Sequence, residues 1–101
     1  MSLQIGNVIL DNPLVLAPMA GVTDLPFRLL CKEMGAGLLC TEMVSAKAIY
    51  YKNKNTKTLM EIHPEEHPVS LQLFGSDADL MAQIAKQIEG QPFEILDVNM
   101  G

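Results

Sequence analysis

The sequence predicts an α/β fold of about four parallel strands with intervening helices, and three observations carry that prediction. Short, continuous apolar runs recur along the chain, as in "LVLAP", "LLCTEM", "PVSLQLFG" and "FEILDVNMG". Runs of this length and composition suit strands buried on both faces of a parallel sheet. Helix signals separate them: a capping oxygen at the start, apolar residues at helical spacing and a glycine at the end. The chain has 101 residues, 49% of them hydrophobic, which suits one small domain. Strand–helix alternation requires right-handed crossovers, and two architectures satisfy them, the doubly wound open sheet and the (β/α)8 barrel. In both, ligands gather at the carboxyl ends of the strands.

The first strand is "LVLAP", residues 14–18. Thr23 or Asp24 then offers a side-chain oxygen to cap a helix, and Pro26 falls in its first turn, where a missing N–H does no harm. Leu25, Phe27, Leu29, Leu30 and Met34 give that helix apolar surface. Gly35 and Gly37 end it as a left-handed cap would. "LLCTEM", residues 38–43, is the second strand. The next segment divides into a helical "SAKAIYY", a polar "KNKNTK" expected to be a solvated loop, and a short "TLMEI". "PVSLQLFG", residues 68–75, is the third strand. The clearest helix is "SDADLMAQIAKQIEG", with Ser76 or Asp77 as cap, Leu80, Ile84 and Ile88 at helical spacing, and Gly90 as stop. A fourth strand spans 93–98.

Composition narrows the function classes. A formal net charge of -5 argues against this segment alone acting as an electrostatic clamp on nucleic acid. No apolar run approaches the roughly 20 residues that span a bilayer. No signal peptide opens the chain, so a cytoplasmic protein with no membrane partner is expected. Cys31 and Cys40 then read as reduced thiols. There is no GxGxxG and no Walker loop to support a Rossmann or nucleoside triphosphate site. His63 and His67 in "IHPEEHP" have the spacing of metal ligands on a helix, but Pro64 and Pro68 break the helix that such a pair needs. No metal is expected. The seven methionines read mostly as core filler.

The remaining chemistry lies at the strand ends. Pro18, Met19, Ala20 and Gly21 follow the first strand, and small residues there let backbone approach a flat ligand closely. Glu42 ends the second strand, Gln72 the third, and Asp97 and Asn99 the fourth. An amide-rich, weakly charged set of this kind suits hydrogen bonding to the edge of a heterocyclic ring. Taken singly, "PMAG" is equally a tight turn, and Gln72 or Asn99 is better read as a satisfied buried amide; it is their joint placement at strand ends that favours a site. Asp24 reads as a helix cap and Asp97 as a structural hydrogen-bonding carboxylate.

Three segments together carry a family resemblance: "IGNVILDNPLVLAPMAGVTDLPFRLLCKEMGAGLLCTEMVSA", "HPVSLQLFGSD" and "FEILDVNMG". They span nearly the whole chain, and it resembles the N-terminal part of the tRNA-dihydrouridine synthases, flavoproteins with a (β/α)8 barrel. The resemblance implies the N-terminal half of that barrel. Residues 1–101 would be a partial FMN-binding domain, lacking the later strands and the C-terminal helical domain that grips tRNA. It implies that Pro18, Met19 and Ala20 line the flavin through backbone contacts, that Gln72 binds the ring's polar edge, and that Asn99 sits at the flavin and substrate face. Glu42 is a weaker substrate-side candidate. The implied reaction reduces the C5–C6 bond of a tRNA uridine, with FMN delivering hydride, an acid delivering the proton and NADPH as reductant. The uridine must leave its stack to reach the flavin.

In that family the acid is a cysteine in a "C-P" pair directly after the motif that ends here as "DVNMG". The chain stops at Gly101, before it, and neither Cys31 on a helix nor Cys40 in a buried strand can stand in. No catalytic residue is therefore expected in this chain, which alone should be inactive and should retain flavin weakly. Two alternatives remain open. One is another FMN barrel enzyme of the dihydroorotate-dehydrogenase kind, which shares the "NPLVLAPMAG" logic. The other is a non-catalytic half-barrel that self-associates through its two open sheet edges.

Overall fold

The computed structural model describes residues 2–100. It opens with an antiparallel hairpin that adds to the elements expected from sequence. In it, β1 (Leu3–Ile5) and β2 (Val8–Leu10) pair Leu3 with Leu10, Gln4 with Ile9 and Ile5 with Val8. Gly6 and Asn7 make the two-residue connection, and Gly6 supplies the positive φ of 59° that such tight turns require.

Four parallel strands follow: β3 (Val15–Leu16), β4 (Leu38–Ser45), β5 (Val69–Phe74) and β6 (Ile95–Asn99). They lie side by side in chain order, β3-β4-β5-β6. A doubly wound sheet reverses its strand order at a switch point, whereas right-handed crossovers without reversal put every helix on one face. The order seen is that of a barrel wall, half of a (β/α)8 barrel.

The helices are α1 (Leu25–Glu33), α2 (Ala46–Tyr50), α3 (Lys54–Leu59) and α4 (Ala78–Ile88). Of the two cap residues that the sequence offers at each long helix, the aspartate serves. Asp24 Oδ1 accepts from Phe27 N–H at 3.0 Å and Asp77 Oδ1 from Leu80 N–H at 3.1 Å. The "KNKNTK" segment is not the expected loop, because its polar side chains build the helix instead. Asn53 Oδ1 accepts from Asn55 N–H at 2.9 Å, and the buried Thr56 donates its hydroxyl to Asn53 O at 2.6 Å. Capping asparagines and a threonine bonded one turn back satisfy a helix start without apolar periodicity.

Strand register sorts the side chains between the two faces of the sheet. Val44 lies beside Leu73 and Leu71 beside Leu96, and with Ala46, Ile49, Ile84 and Ile88 they form the core between sheet and helices. The other face shows three rows across β4, β5 and β6: Cys40–Ser70–Ile95, Met43–Gln72–Asp97 and Ser45–Phe74–Asn99. The register shifts between Cys40 and Met43, so that Thr41 and Glu42 together oppose Leu71 in a β-bulge. Thr41 Oγ1 fills the gap in the ladder, accepting from Gln72 N–H at 3.2 Å and donating to Glu42 O at 2.8 Å.

Two packing details hold the first crossover. Gly37 lies against Asn12, where a Cβ would meet the Asn12 carbonyl oxygen at 2.3 Å. On α1, Arg28 is buried and reaches a 3-10 turn (Pro64–Glu66). Its guanidinium donates to Thr23 O at 2.8 Å, to Glu61 O at 2.9 Å and to Glu66 Oε1 at 3.3 Å.

Candidate functional site

The segment between β3 and α1 is folded around the backbone of Met19. Val22 and Thr23 N–H both donate to Met19 O, at 3.0 and 2.9 Å. The Thr23 hydroxyl accepts from Met19 N–H at 3.1 Å, and the residue is buried. That contact explains why Thr23 leaves the helix cap to Asp24. Gly21, at φ +76°, donates its N–H to Glu42 Oε1 at 2.6 Å. The loop is thus fixed from inside by Thr23 and from β4 by Glu42, while Met19, Ala20 and Gly21 remain exposed and Pro18 half-buried.

Beside this loop lie the polar rows of the sheet. Gln72 is only 9% exposed; its Nε2 donates to Asp97 Oδ2 at 2.9 Å, and among the described residues no donor reaches its Oε1. The Asp97 carboxylate therefore orients the amide and leaves one acceptor open, which suits the donor edge of a heterocycle. Asn99, one row further, places its Nδ2 3.8 Å from Met43 Sδ. Two rows below it, burial, with the nearby Asp97 charge adding to it, pushes the Cys40 thiol up.

The structure places Pro18, Met19 and Ala20 just after β3 and Asn99 at the end of β6, whereas β4 and β5 run on to Ser45 and Phe74, so Glu42 and Gln72 lie within their strands rather than ending them, with Glu42 bonded to the loop. A flat ring resting there would meet backbone at Pro18–Gly21 and the open Gln72 oxygen, and these groups fit a flavin. Thr23, Arg28 and Glu66 support the site; Thr23 and Arg28 lie in the segment that carries the resemblance, though the sequence pattern assigns Arg28 and Glu66 no role. The available signal was a lone basic residue, Arg28, inside the apolar stretch "LPFRLL". Burial pushes the Glu66 carboxyl up, Arg28 opposes it, and among the described residues Glu66 Oε2 has no partner.

Other features lie apart from these residues. A concavity of about 500 Å³ separates α2 from α4, lined among others by Lys47, Tyr50, Tyr51, Asp77 and Gln83. An apolar groove of about 290 Å³ flanks the β3 edge, between Val15 and Met34. The two histidines of "IHPEEHP" part company: His63 Nδ1 accepts from Glu65 N–H at 3.1 Å, whereas His67 contacts Glu94.

Comparison with known proteins adds a family and its relatives. A family model described as "Dihydrouridine synthase (Dus)" matches residues 15–101. A protein of Pseudomonas putida named tRNA-dihydrouridine synthase B is 45% identical over 101 residues, covering 99% of this chain and 30% of its own length. Proteins of the same name from Pseudomonas syringae pv. tomato and Vibrio parahaemolyticus are 40% and 44% identical, covering 99% and 98% of this chain. The chain spans about 30% of the length of these relatives.

Proposed function

The chain belongs to the dihydrouridine synthase family, and from that premise we propose that it forms part of a flavin-dependent tRNA-dihydrouridine synthase acting on specific uridines in the cytoplasm. The observation that carries this reading is the Gln72 amide, fixed by Asp97 with its acceptor oxygen open beside the Met19–Thr23 loop. When bound, FMN kept reduced by NADPH would supply a hydride to one carbon of the uracil C5–C6 bond, and an acid other than the two cysteines of this chain would supply the proton to the other.

The chain's own residues have narrower tasks. Pro18, Met19 and Ala20 offer backbone to the ring, held still by the Thr23 hydroxyl and by Glu42 on Gly21. Glu42 is a positioning carboxylate as well as the weaker substrate candidate. Gln72 accepts from the ring's polar edge, and Asn99 faces the flavin and the uracil. Neither free cysteine is placed to serve as acid: Cys31 lies on α1, and Cys40 is buried within β4, two rows below Asn99. These 101 residues alone would therefore retain flavin weakly and not complete the reaction.

The isolated chain has a second reading. The edge strands β3 and β6 expose Val15 and Val98, and the apolar groove beside β3 favours self-association there. Sedimentation of the 101-residue chain tests it, and a monomer at high concentration overturns it.

The main reading is tested with the protein produced from its own gene. The expected outcome is flavin absorbance with a mass matching FMN, and dihydrouridine formed in unmodified tRNA when NADPH is added. Loss of flavin in Gln72→Leu, in a protein that still folds, is expected from the role of the amide. A purified protein with no flavin that leaves tRNA unchanged overturns the proposal.

A further inference from the structure

We propose that α2, the turn after it and α3 form a docking strip for the tRNA backbone, in which Lys47, Lys52, Lys54 and Lys57 meet phosphates and Tyr50 and Tyr51 stack on an unpaired base. The inference rests on the tRNA reading above and names a surface of this chain that would meet the substrate.

Charge distribution is the first argument. The chain carries seven lysines and arginines and a formal charge of -5, yet four of those seven lie between 47 and 57. No acid occurs between Glu42 and Glu61. A protein that is acidic overall thus concentrates its cations on one segment. Among the described residues, the two ion pairs are Arg28–Glu66 and His67–Glu94, so none of the four lysines is neutralised by a carboxylate. All four are exposed. Fold stability does not call on these charges: α3 is anchored by Thr56 and Leu59, and α2 by Ala46 and Ile49.

Position is the second. α2 starts directly after Ser45, the last residue of β4, so the strip begins at the sheet end that carries Gln72 and the Met19–Thr23 loop. Tyr50 and Tyr51 are 49% and 69% exposed, with ring centroids 5.1 Å apart and planes at 90°. Exposed aromatic rings offer π-faces on which a base splayed from an RNA loop can stack. The 500 Å³ concavity beside them presents Lys47 on one wall and Asp77, Asp79 and Gln83 on the other, a side that would meet ribose hydroxyls or base amines and leave the phosphates to the lysines. Cations interleaved with aromatics and flanked by such acceptors match single-stranded RNA.

The test uses the protein produced from its own gene and an unmodified tRNA transcript, with binding measured across a salt series. Replacing the four lysines by glutamine is expected to weaken binding at least about tenfold near 100 mM salt. It should also flatten the plot of log K against log salt by about 3, because each phosphate contact contributes 0.7–0.9 to that slope. Tyr50→Leu with Tyr51→Leu should weaken binding about tenfold with the slope unchanged. Lys86→Gln, on α4, should alter neither. Should the quadruple variant fail to fold, Lys54→Glu with Lys57→Glu carries the same test. Unchanged affinity and slope in the lysine variants, while the unaltered protein binds and modifies tRNA, overturn the strip alone. No tRNA binding by the unaltered protein overturns the tRNA reading, and the strip with it.

Discussion

Replacing Arg28 by methionine probes how α1 and the Met19–Thr23 loop are held. Arg28 and Glu66 are 2% and 0% exposed, and Arg28 donates to two carbonyls as well as to the carboxylate. Its loss leaves a buried carboxylate, one of whose oxygens already lacks a partner among the described residues. Removing one member of a buried pair costs about 3–5 kcal/mol, because the other charge stays behind uncompensated. Removing both, as Arg28→Met with Glu66→Leu, should cost about 2 kcal/mol less than the sum of the single changes. The remaining cost comes from the carbonyls of Thr23 and Glu61, about 1–3 kcal/mol each if left dry. Burial raises the Glu66 carboxyl against the pull of Arg28. A carboxyl raised in the folded state stabilises fully below its unfolded value and loses that contribution as pH rises through the folded one. Without Arg28 the rise is larger, so the Arg28→Met variant should lose stability more steeply than the unaltered protein above about pH 4.3. Urea denaturation between pH 5 and pH 8, on the four members of the cycle, reads both effects. Additivity within about 0.5 kcal/mol, or a variant whose stability does not fall with pH, would refute the reasoning.

Three smaller changes follow from local geometry. Gly37→Ala should lower stability by about 1–3 kcal/mol, seen as a drop in thermal midpoint, since the new Cβ would sit 2.3 Å from Asn12 O and 2.8 Å from its Oδ1. Gly90→Ala, with nothing within 4 Å of the added carbon, should instead stabilise by about 0.4–1 kcal/mol in the same assay. Thr23→Val keeps the shape but strips Met19 N–H of its acceptor, so a loss of about 1–3 kcal/mol should be accompanied by weaker flavin retention on gel filtration.

The parts of the fold legible in the sequence are those set by neighbours in the chain. The apolar runs of β4, β5 and β6 and the caps Asp24 and Asp77 are local patterns, and they lie where periodicity and side-chain chemistry put them. The strand-end candidates Gln72 and Asn99 could be named because βα folds place ligands there. Their placement in adjacent rows could not, since it depends on register between strands 25 residues apart, as in the Gln72–Asp97 bond. Arg28 and Glu66 are 38 residues apart, and no local pattern pairs them. The misread "KNKNTK" shows the converse limit, because its helix is specified by side-chain oxygens rather than by apolar spacing. The Gly6-Asn7 hairpin carried a readable signal, two apolar runs around a glycine–asparagine pair, outside the βα pattern.

The bulge in β4 has a consequence for how such a chain can vary. Cys40 pairs with Ser70 and Met43 with Gln72, so one residue of the Thr41–Glu42 pair is surplus to the ladder. Deleting one of the two would leave every other pairing of β4 and β5 as it is, with Val44 still facing the core. The carboxylate that fastens Gly21 is in effect an insertion carried by a strand that does not need it. Loss of Glu42 by a single-codon deletion would therefore release Gly21 without changing which β4 side chains face the hydrophobic interior.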